Sequence, residues 1–199
     1  MFNGVIYNQG KIKDIKRSTK YVTGSCVIEI SSDIKFKSSD VGESVCCNGV
    51  CLTLIRIKKK SFLFYLSKET IKKSNFKYAK LGNLINIEKS LLYGQKISGH
   101  FVQGHVDTTA EIKNIDFVDK SWVIKFELND KRLNKSLIEK ASIAINGVSL
   151  TIFNISKKNF KISVIPHTLK LTNLKNLKIN DIVNVEVDIF SKYLLKLSQ

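Results

Sequence analysis

The chain contains itself twice. Residues 44–54 read SVCCNGVCLTL and residues 142–152 read SIAINGVSLTI, identical at six of eleven positions with an offset of 98. The register then holds without a gap: Phe62 falls on Phe160, Thr70 on Thr168, Asn75 on Asn173, and Asn86-Ile87-Glu88 on Asn184-Val185-Glu186. Of the 45 pairs from 44 to 88, 17 are identical. A bias towards lysine inflates such a count, but it does not place NGVxLT twice in matched register. A weaker match continues upstream at an offset of 100, with Gly4, Ile6 and Ile12 over Gly104, Val106 and Ile112. So long a period means two homologous domains, not a stack of short repeats. The expected division is 1–97, 98–187 and a tail of 188–199, within a chain of 199 residues.

Each half reads as short strands. Tyr21–Ile30, Val50–Ile57, Phe62–Leu66 and Leu84–Ile87 are rich in Val, Ile, Phe, Tyr and Thr and are broken by Gly, Asn and Ser. Trp122–Leu128, Ile143–Ile145, Val148–Ile155, Phe160–Ile165 and Ile182–Val187 match them in the second half. Asn-Gly at 48–49 and 146–147 signals a hairpin, because glycine accepts positive φ. Many short strands in so few residues point to a small closed barrel, which leaves no edge exposed. Two segments carry helical spacing. Residues 130–140 place Leu133, Leu137 and Ile138 on one face behind a capping Asn129 or Asp130, and the tail does the same with Phe190, Tyr193, Leu194 and Leu197. The tail stripe must be buried either on the chain's own barrels or between subunits.

Charge enters as a question of partners. With 33 Lys and Arg against 17 Asp and Glu, the formal charge is +16. The lysines are scattered from Lys11 to Lys196, only Lys58-Lys59-Lys60 forms a run, and Arg17, Arg56 and Arg132 are the sole arginines. Base and phosphate recognition favours the forked guanidinium, so this surface reads as solvated and lysine-biased, with no nucleic-acid partner expected. Cys26, Cys46, Cys47 and Cys51 make no CxxC pair, and His100, His105 and His167 lack zinc-finger spacing, so no metal is expected. No stretch of eighteen apolar residues occurs, and the start MFNGVI has no basic leader. A cytoplasmic protein with reduced thiols and no membrane partner is the expectation.

Two copies of one pocket suit two similar molecules, and an enzyme joining two identical substrates gains most from holding both in register. The copies differ where the chemistry would be asymmetric: Cys51 against Ser149, and Glu69 against His167. Bland readings stand beside these. Cys51 is also read as a small core residue, Thr53 and Thr151 as ordinary strand threonines, Asn48 and Asn146 as turn formers, and Glu88 and Glu186 as structural groups at barrel ends. Residue types alone lead to a two-site ligand-binding barrel pair and no further.

The motifs go further. MFNGVI at the start, GESVCCNGVCLTL at 42–54, SKET at 67–70, SGHFVQGHVD at 98–107, NGVSLTI at 146–152, IPHTL at 165–169 and VNVEVD at 183–188 resemble those of the riboflavin synthase family, in family order and spacing. Asn3 replaces a usual threonine, Ala141 stands where glycine often follows the lysine, and Asn180 replaces a glycine before Asp181. The resemblance implies a mainly β fold: two homologous six-stranded Greek-key β-barrels in tandem plus a C-terminal α-helix that helps form a homotrimer. It implies active sites between the N-terminal barrel of one subunit and the C-terminal barrel of another. It also implies a transferase with no cofactor, converting two 6,7-dimethyl-8-ribityllumazines to riboflavin and 5-amino-6-(D-ribitylamino)uracil.

Carried over by motif, one pocket takes Gly4, Val5, Ile6, Cys51, Leu52, Thr53 and Tyr65, Leu66, Ser67, Lys68, Glu69, Thr70. The other takes Gly104, His105, Val106, Lys140, Ser149, Leu150, Thr151 and Ser163, Val164, Ile165, Pro166, His167, Thr168. Asp188 and hydroxyls would hold the ribityl chain. His105 is the expected proton-transfer group, because imidazole titrates near neutrality. Ser44, Cys51, Ser149 and Thr151 are the candidates for delivering a nucleophile or water. The competing reading is a non-catalytic lumazine- or flavin-binding antenna protein; the retention of NGVSLT and IPHTL in the second half favours the enzyme.

Overall fold

The structure, a computed structural model, describes residues 1–17 and 24–197. The first barrel is built from β1 (Asn8–Arg17), β2 (Cys26–Ser32), β3 (Ser44–Cys47), β4 (Val50–Lys58), β5 (Ser61–Leu66) and β6 (Leu84–Lys89), closed in the order β1-β2-β5-β4-β3-β6. The second uses β7 (Thr108–Val118), β8 (Ser121–Leu128), β9 (Ser142–Ile145), β10 (Val148–Ser156), β11 (Asn159–Val164) and β12 (Ile182–Val187), in the same order. Helices α1 (Lys68–Lys73) and α2 (Pro166–Leu171) occupy equivalent places after β5 and β11, and α3 (Ile189–Leu197) ends the described chain. All strand pairs are antiparallel, so closure leaves no unpaired edge.

Strands β1 and β7 escape the sequence reading for a definite reason. Their inward residues Ile12 and Ile15, and Ile112 and Ile115, stand three apart, which is not a strand period. A bulge between Ile12 and Asp14, and another between Ile112 and Asn114, absorbs the extra residue, so that Ile15 still faces Ile28 and Ile115 faces Ile124. The predicted strand from Tyr21 begins at Cys26 in the structure, and Tyr21, Val22 and Thr23 lie outside the described residues. Ile165 leaves β11 and becomes the extended residue before α2, as the following Pro166 requires.

The helix expected over 130–140 is a correction: it is a 3₁₀ turn, Lys131–Ser136, capped by Asp130 accepting from the Arg132 amide. Leu137 is already extended, and Ile138 is exposed, because the chain must leave the turn to enter β9. The tail is helical as expected. Lys192 reaches Asp107 at 2.7 Å and Phe190 lies edge-on to Phe101, which docks α3 on the segment leading into the second barrel. Tyr193, Leu194 and Leu197 nevertheless stay more than 60% exposed.

Each barrel has its own core. Ile28, Leu54, Phe64 and Leu66 are fully buried in the first, and Ile112, Ile124, Phe126 and Phe160 in the second. Between them runs a pseudo-two-fold seam. Phe2 and Val102 bridge across it, each donating its amide to the other's carbonyl. The two Asn-Gly hairpins abut so closely that a Cβ on Gly49 would meet the Gly147 nitrogen at 2.7 Å, and one on Gly147 the Gly49 nitrogen at 2.8 Å. Around them six asparagines, 48, 75, 86 and their duplicates 146, 173, 184, bond as twins. Asn86 Nδ2 donates to the Asn146 carbonyl at 3.0 Å and Asn184 Nδ2 to the Asn48 carbonyl at 2.7 Å. Asn173 Nδ2 donates to Asn48 Oδ1 and Asn75 Nδ2 to Asn146 Oδ1.

Gly147→Ala would place a methyl on backbone that cannot move and at φ +79°. The expected loss is about 2–4 kcal/mol, a fall in melting temperature on the order of 5–15 °C by calorimetry. An unchanged melting temperature would show that the hairpins do not hold the barrels together.

Candidate active site

The residues before each barrel form a strap, and each strap crosses to the other barrel. In the first, Ser149 on β10 donates its amide to the Gly4 carbonyl at 2.8 Å, and Ile6 is buried in the core of the second barrel. In the second, Cys51 on β4 donates to the Gly104 carbonyl at 2.7 Å, and Val106 packs against the core of the first barrel. A Cβ on Gly4 would meet Ser149 Cβ at 2.7 Å, and one on Gly104 would meet Cys51 Cβ at the same distance. These glycines are therefore needed for the close approach.

The crossing corrects the expected grouping. Gly4, Val5 and Ile6 belong with Ser149, Leu150 and Thr151, and Gly104, His105 and Val106 with Cys51, Leu52 and Thr53. Sequence adjacency suggested the reverse, because nothing in it shows that a strap leaves its own barrel. Beside the first strap lie Ser163 to Thr168, at the end of β11 and on α2, as parts of the barrel that Ile6 enters. Beside the second lie Tyr65 to Thr70, where Ser67 caps α1 by accepting from the Thr70 amide. Leu52, Leu66 and Val164 point into the cores and offer only backbone to a ligand. Thr53, Tyr65, Thr151, Ser163, Ile165, Pro166 and His167 are exposed. Ser44 stands opposite Thr53 on the neighbouring strand.

One group at the first strap was missed. His100 is buried and its Nδ1 lies 2.7 Å from Ser149 Oγ, while Nε2 has no partner among the described residues. Burial lowers its pKa, and the Asp188 carboxylate opposes that shift. A neutral imidazole beside a hydroxyl, with a carboxylate near, can take a proton through the serine or directly. Its residue signal was present in SGHFVQGHVD, but the offset of 100 pairs Met1 with Phe101, so the repeat alignment does not reach His100 and drew no attention to it. The second strap has no such pair; there the exposed His105 accompanies Cys51. The candidates thus divide into Ser149, Thr151, Asp188 and His100 at one strap, and Cys51, Ser44 and His105 at the other.

Lys140 holds φ +67° where its duplicate is Gly42, and its amide donates to the Ile152 carbonyl in the middle of β10. Such a conformation is unfavourable for a side-chain-bearing residue and marks the position as constrained. Asn180 has φ +73°, the left-handed backbone its glycine duplicate Gly82 also adopts. Neither of two sizeable cavities is lined by Ser149 or Cys51. One, of about 1040 Å³, lies along the asparagine seam, and the other, of about 470 Å³, beside Asn3, Val5 and Glu88. At the straps, Thr53, His105 and Thr151 are exposed to solvent. No cluster of metal-ligating side chains occurs among the described residues, and no helix there is long and apolar enough to cross a membrane.

Comparison with known proteins bears on this geometry. The family model of the lumazine binding domain matches residues 3–90 and again 103–188. The solved structure of LumP complexed with 6,7-dimethyl-8-(1'-D-ribityl) lumazine superposes with a TM-score of 0.79 at 25% identity, covering 94% of this chain and 99% of that one. LumP complexed with riboflavin gives the same TM-score at 26% identity. Two tandem lumazine binding domains are the class that fold and straps define. The riboflavin synthase of Buchnera aphidicola subsp. Schizaphis graminum is 35% identical over 195 residues, 98% of this chain and 92% of that protein. Those of Bacillus subtilis and Escherichia coli are 34% and 33% identical and cover 98% and 94% of this chain, and 89% and 87% of their own lengths. The chain belongs to the riboflavin synthase family.

Two buried carboxylates give the site a pH signature. Burial pushes Glu88 up to about 7 and Glu186 up to about 6 from an ordinary 4.5, against the backbone N–H groups that favour their charged forms. With the folded value raised, protonation stabilises the fold: the contribution is complete below 4.5 and is lost as pH rises through about 6 and about 7. In denaturant titrations from pH 4.5 to 8, the stability of the unaltered protein relative to Glu88→Gln should fall and level off above about 7. A difference independent of pH would show Glu88 to be ionised throughout.

Proposed function

We propose that the protein catalyses the dismutation of two 6,7-dimethyl-8-ribityllumazine molecules to riboflavin and 5-amino-6-(D-ribitylamino)uracil. The observation that carries this is the pair of crossed straps, two alike ligand sites with different polar groups, in a chain whose relatives are riboflavin synthases. A four-carbon unit leaves one lumazine and joins the other. The two products together contain the atoms of two substrates, so the exchange calls for no external oxidant or reductant, and no cofactor is invoked.

Strap backbone at Gly4–Ile6 and Gly104–Val106 would meet the pyrimidine edges, flanked by Ser149–Thr151 and Ser163–Thr168 in one pocket and by Cys51–Thr53 and Tyr65–Thr70 in the other. In the first pocket Ser149 and His100 take the proton from the C7 methyl group, supported by a neutral imidazole 2.7 Å from the hydroxyl. Asp188 holds the ribityl chain beside them, and Thr151 is exposed at the same strand. His105 with Cys51 and Ser44 serves the other lumazine by delivering a nucleophile or water. Replacing His100 by Gln is expected to lower turnover by about 10²- to 10⁴-fold, the usual worth of a positioned acid–base group. Turnover within twofold of the unaltered protein would remove His100 from the reaction.

Residues 1–97 and 98–187 are the two functional units, and 188–199 supplies subunit contact. Two features support a homotrimer with sites completed between subunits: the exposed Tyr193, Leu194 and Leu197 on α3, and the exposed Thr53, His105 and Thr151 at the straps. Lys140 would then reach a neighbour's ligand. Leu194→Asp should yield monomers by light scattering and remove most of the turnover; a trimer that persists would exclude this face. Reduced thiols support a cytoplasmic location, all four cysteines being free.

The deciding experiment is incubation with the lumazine alone, followed by absorbance. One riboflavin formed per two lumazines consumed is expected. Tight binding without turnover would instead favour an antenna role like that of a binding protein, a reading prompted by the likeness to ligand-bound LumP.

A further inference from the structure

Each strap is anchored to its own barrel by one carboxylate. On β12, Glu186 is only 2% exposed and accepts from three consecutive amides: Gln103 at 2.7 Å, Gly104 at 2.9 Å and His105 at 3.0 Å. Its duplicate on β6, Glu88, accepts from Asn3 at 2.7 Å and Gly4 at 3.0 Å. The residue whose amide meets the carboxylate, Gly4 or Gly104, is also the one whose carbonyl meets Ser149 or Cys51 of the opposite barrel. Convergent amides of this kind are met by the two accepting oxygens of a carboxyl group; an amide side chain offers one oxygen and turns an N–H₂ towards the donors.

We propose that Glu88 and Glu186 are positioning residues, Glu186 for the pocket of Cys51 and Glu88 for the pocket of Ser149, each fixing the strap backbone that faces the substrate. The assignment is crosswise: the carboxylate that shapes a pocket lies on the barrel that does not supply the pocket's strand. It rests on the two-pocket reading above. Both pairs survive as identities in the duplication, Glu88 over Glu186 and Gly4 over Gly104, while the side chains they serve, Cys51 and Ser149, diverge. The clamp is the shared device, and the chemistry laid over it differs.

The test uses Glu186→Gln and Glu88→Gln, which keep shape and volume, in the full chain. Without ligand, amide hydrogen exchange at 103–105 should accelerate about tenfold in Glu186→Gln alone, and at 3–4 in Glu88→Gln alone. Cys51, half-buried beside the second strap, then reports on its pocket through alkylation by iodoacetamide. The riboflavin concentration that protects Cys51 should rise about tenfold in Glu186→Gln and stay unchanged in Glu88→Gln. A merely structural carboxylate would shift protection equally in both variants, and that result overturns the proposal. So does faster strap exchange with unaltered protection. If riboflavin never protects Cys51 in the unaltered protein, the two-pocket reading falls and the proposal with it; unchanged exchange in both variants sinks the clamp alone. Should Glu186→Gln fail to fold, Glu88→Gln decides through exchange at 3–4 and through a tenfold loss in the riboflavin binding phase that does not protect Cys51.

Discussion

The seam between the barrels is the constraint on which the rest of the molecule depends. Two backbones meet at Gly49 and Gly147 within van der Waals contact, which buries the carbonyls and amides around them. The six asparagines satisfy them: the side chains of Asn75, Asn86, Asn173 and Asn184 both donate and accept, those of Asn48 and Asn146 accept, and each bond in one half has its twin in the other. Leaving one such group unpaired would cost about 1–3 kcal/mol, so the network specifies one relative placement of the barrels. Hydrophobic contact alone, through Phe2, Val102, Cys46 and Ala144, would tolerate sliding.

That fixed placement is what lets the straps cross. A strap joins its own barrel through a glutamate and the other barrel through a strand amide, so neither pocket belongs to one domain. Duplication of a self-contained barrel would have yielded two independent sites. Duplication with exchange of straps yields two coupled ones, each sensitive to the position of both halves.

Symmetry sets the frame and its loss sets the chemistry. Ser149 has a buried imidazole at hydrogen-bond distance, whereas Cys51 has none, and an exposed His105 stands on the strap beside it. A reaction in which two identical molecules play different parts needs this inequality, because equal pockets would treat both alike. The buried carboxylates stay the same in both halves, as expected of groups that shape backbone and leave the substrate's chemistry to others.

Much of this was legible in the chain. The offset of 98 fixed the duplication, NGVxLT and its companions pointed to the lumazine-binding fold, and strands with period-two alternation were found near their true limits. Strands β1 and β7 were not, because the residue inserted at each of their bulges turns alternation into a spacing of three. The 3₁₀ turn at Lys131–Ser136 passed for a helix, since both place residues three apart on one face. His100 was visible in its motif without its role, because its partner Ser149 is 49 positions away. Local pattern and internal repetition, which report the environment of each residue along its own strand, were thus determined by sequence. The crossing of the straps, the asparagine twins and the division of the candidate residues between the two straps were decided by tertiary structure alone, because each joins residues 53 to 145 positions apart whose types are the same whichever barrel they meet.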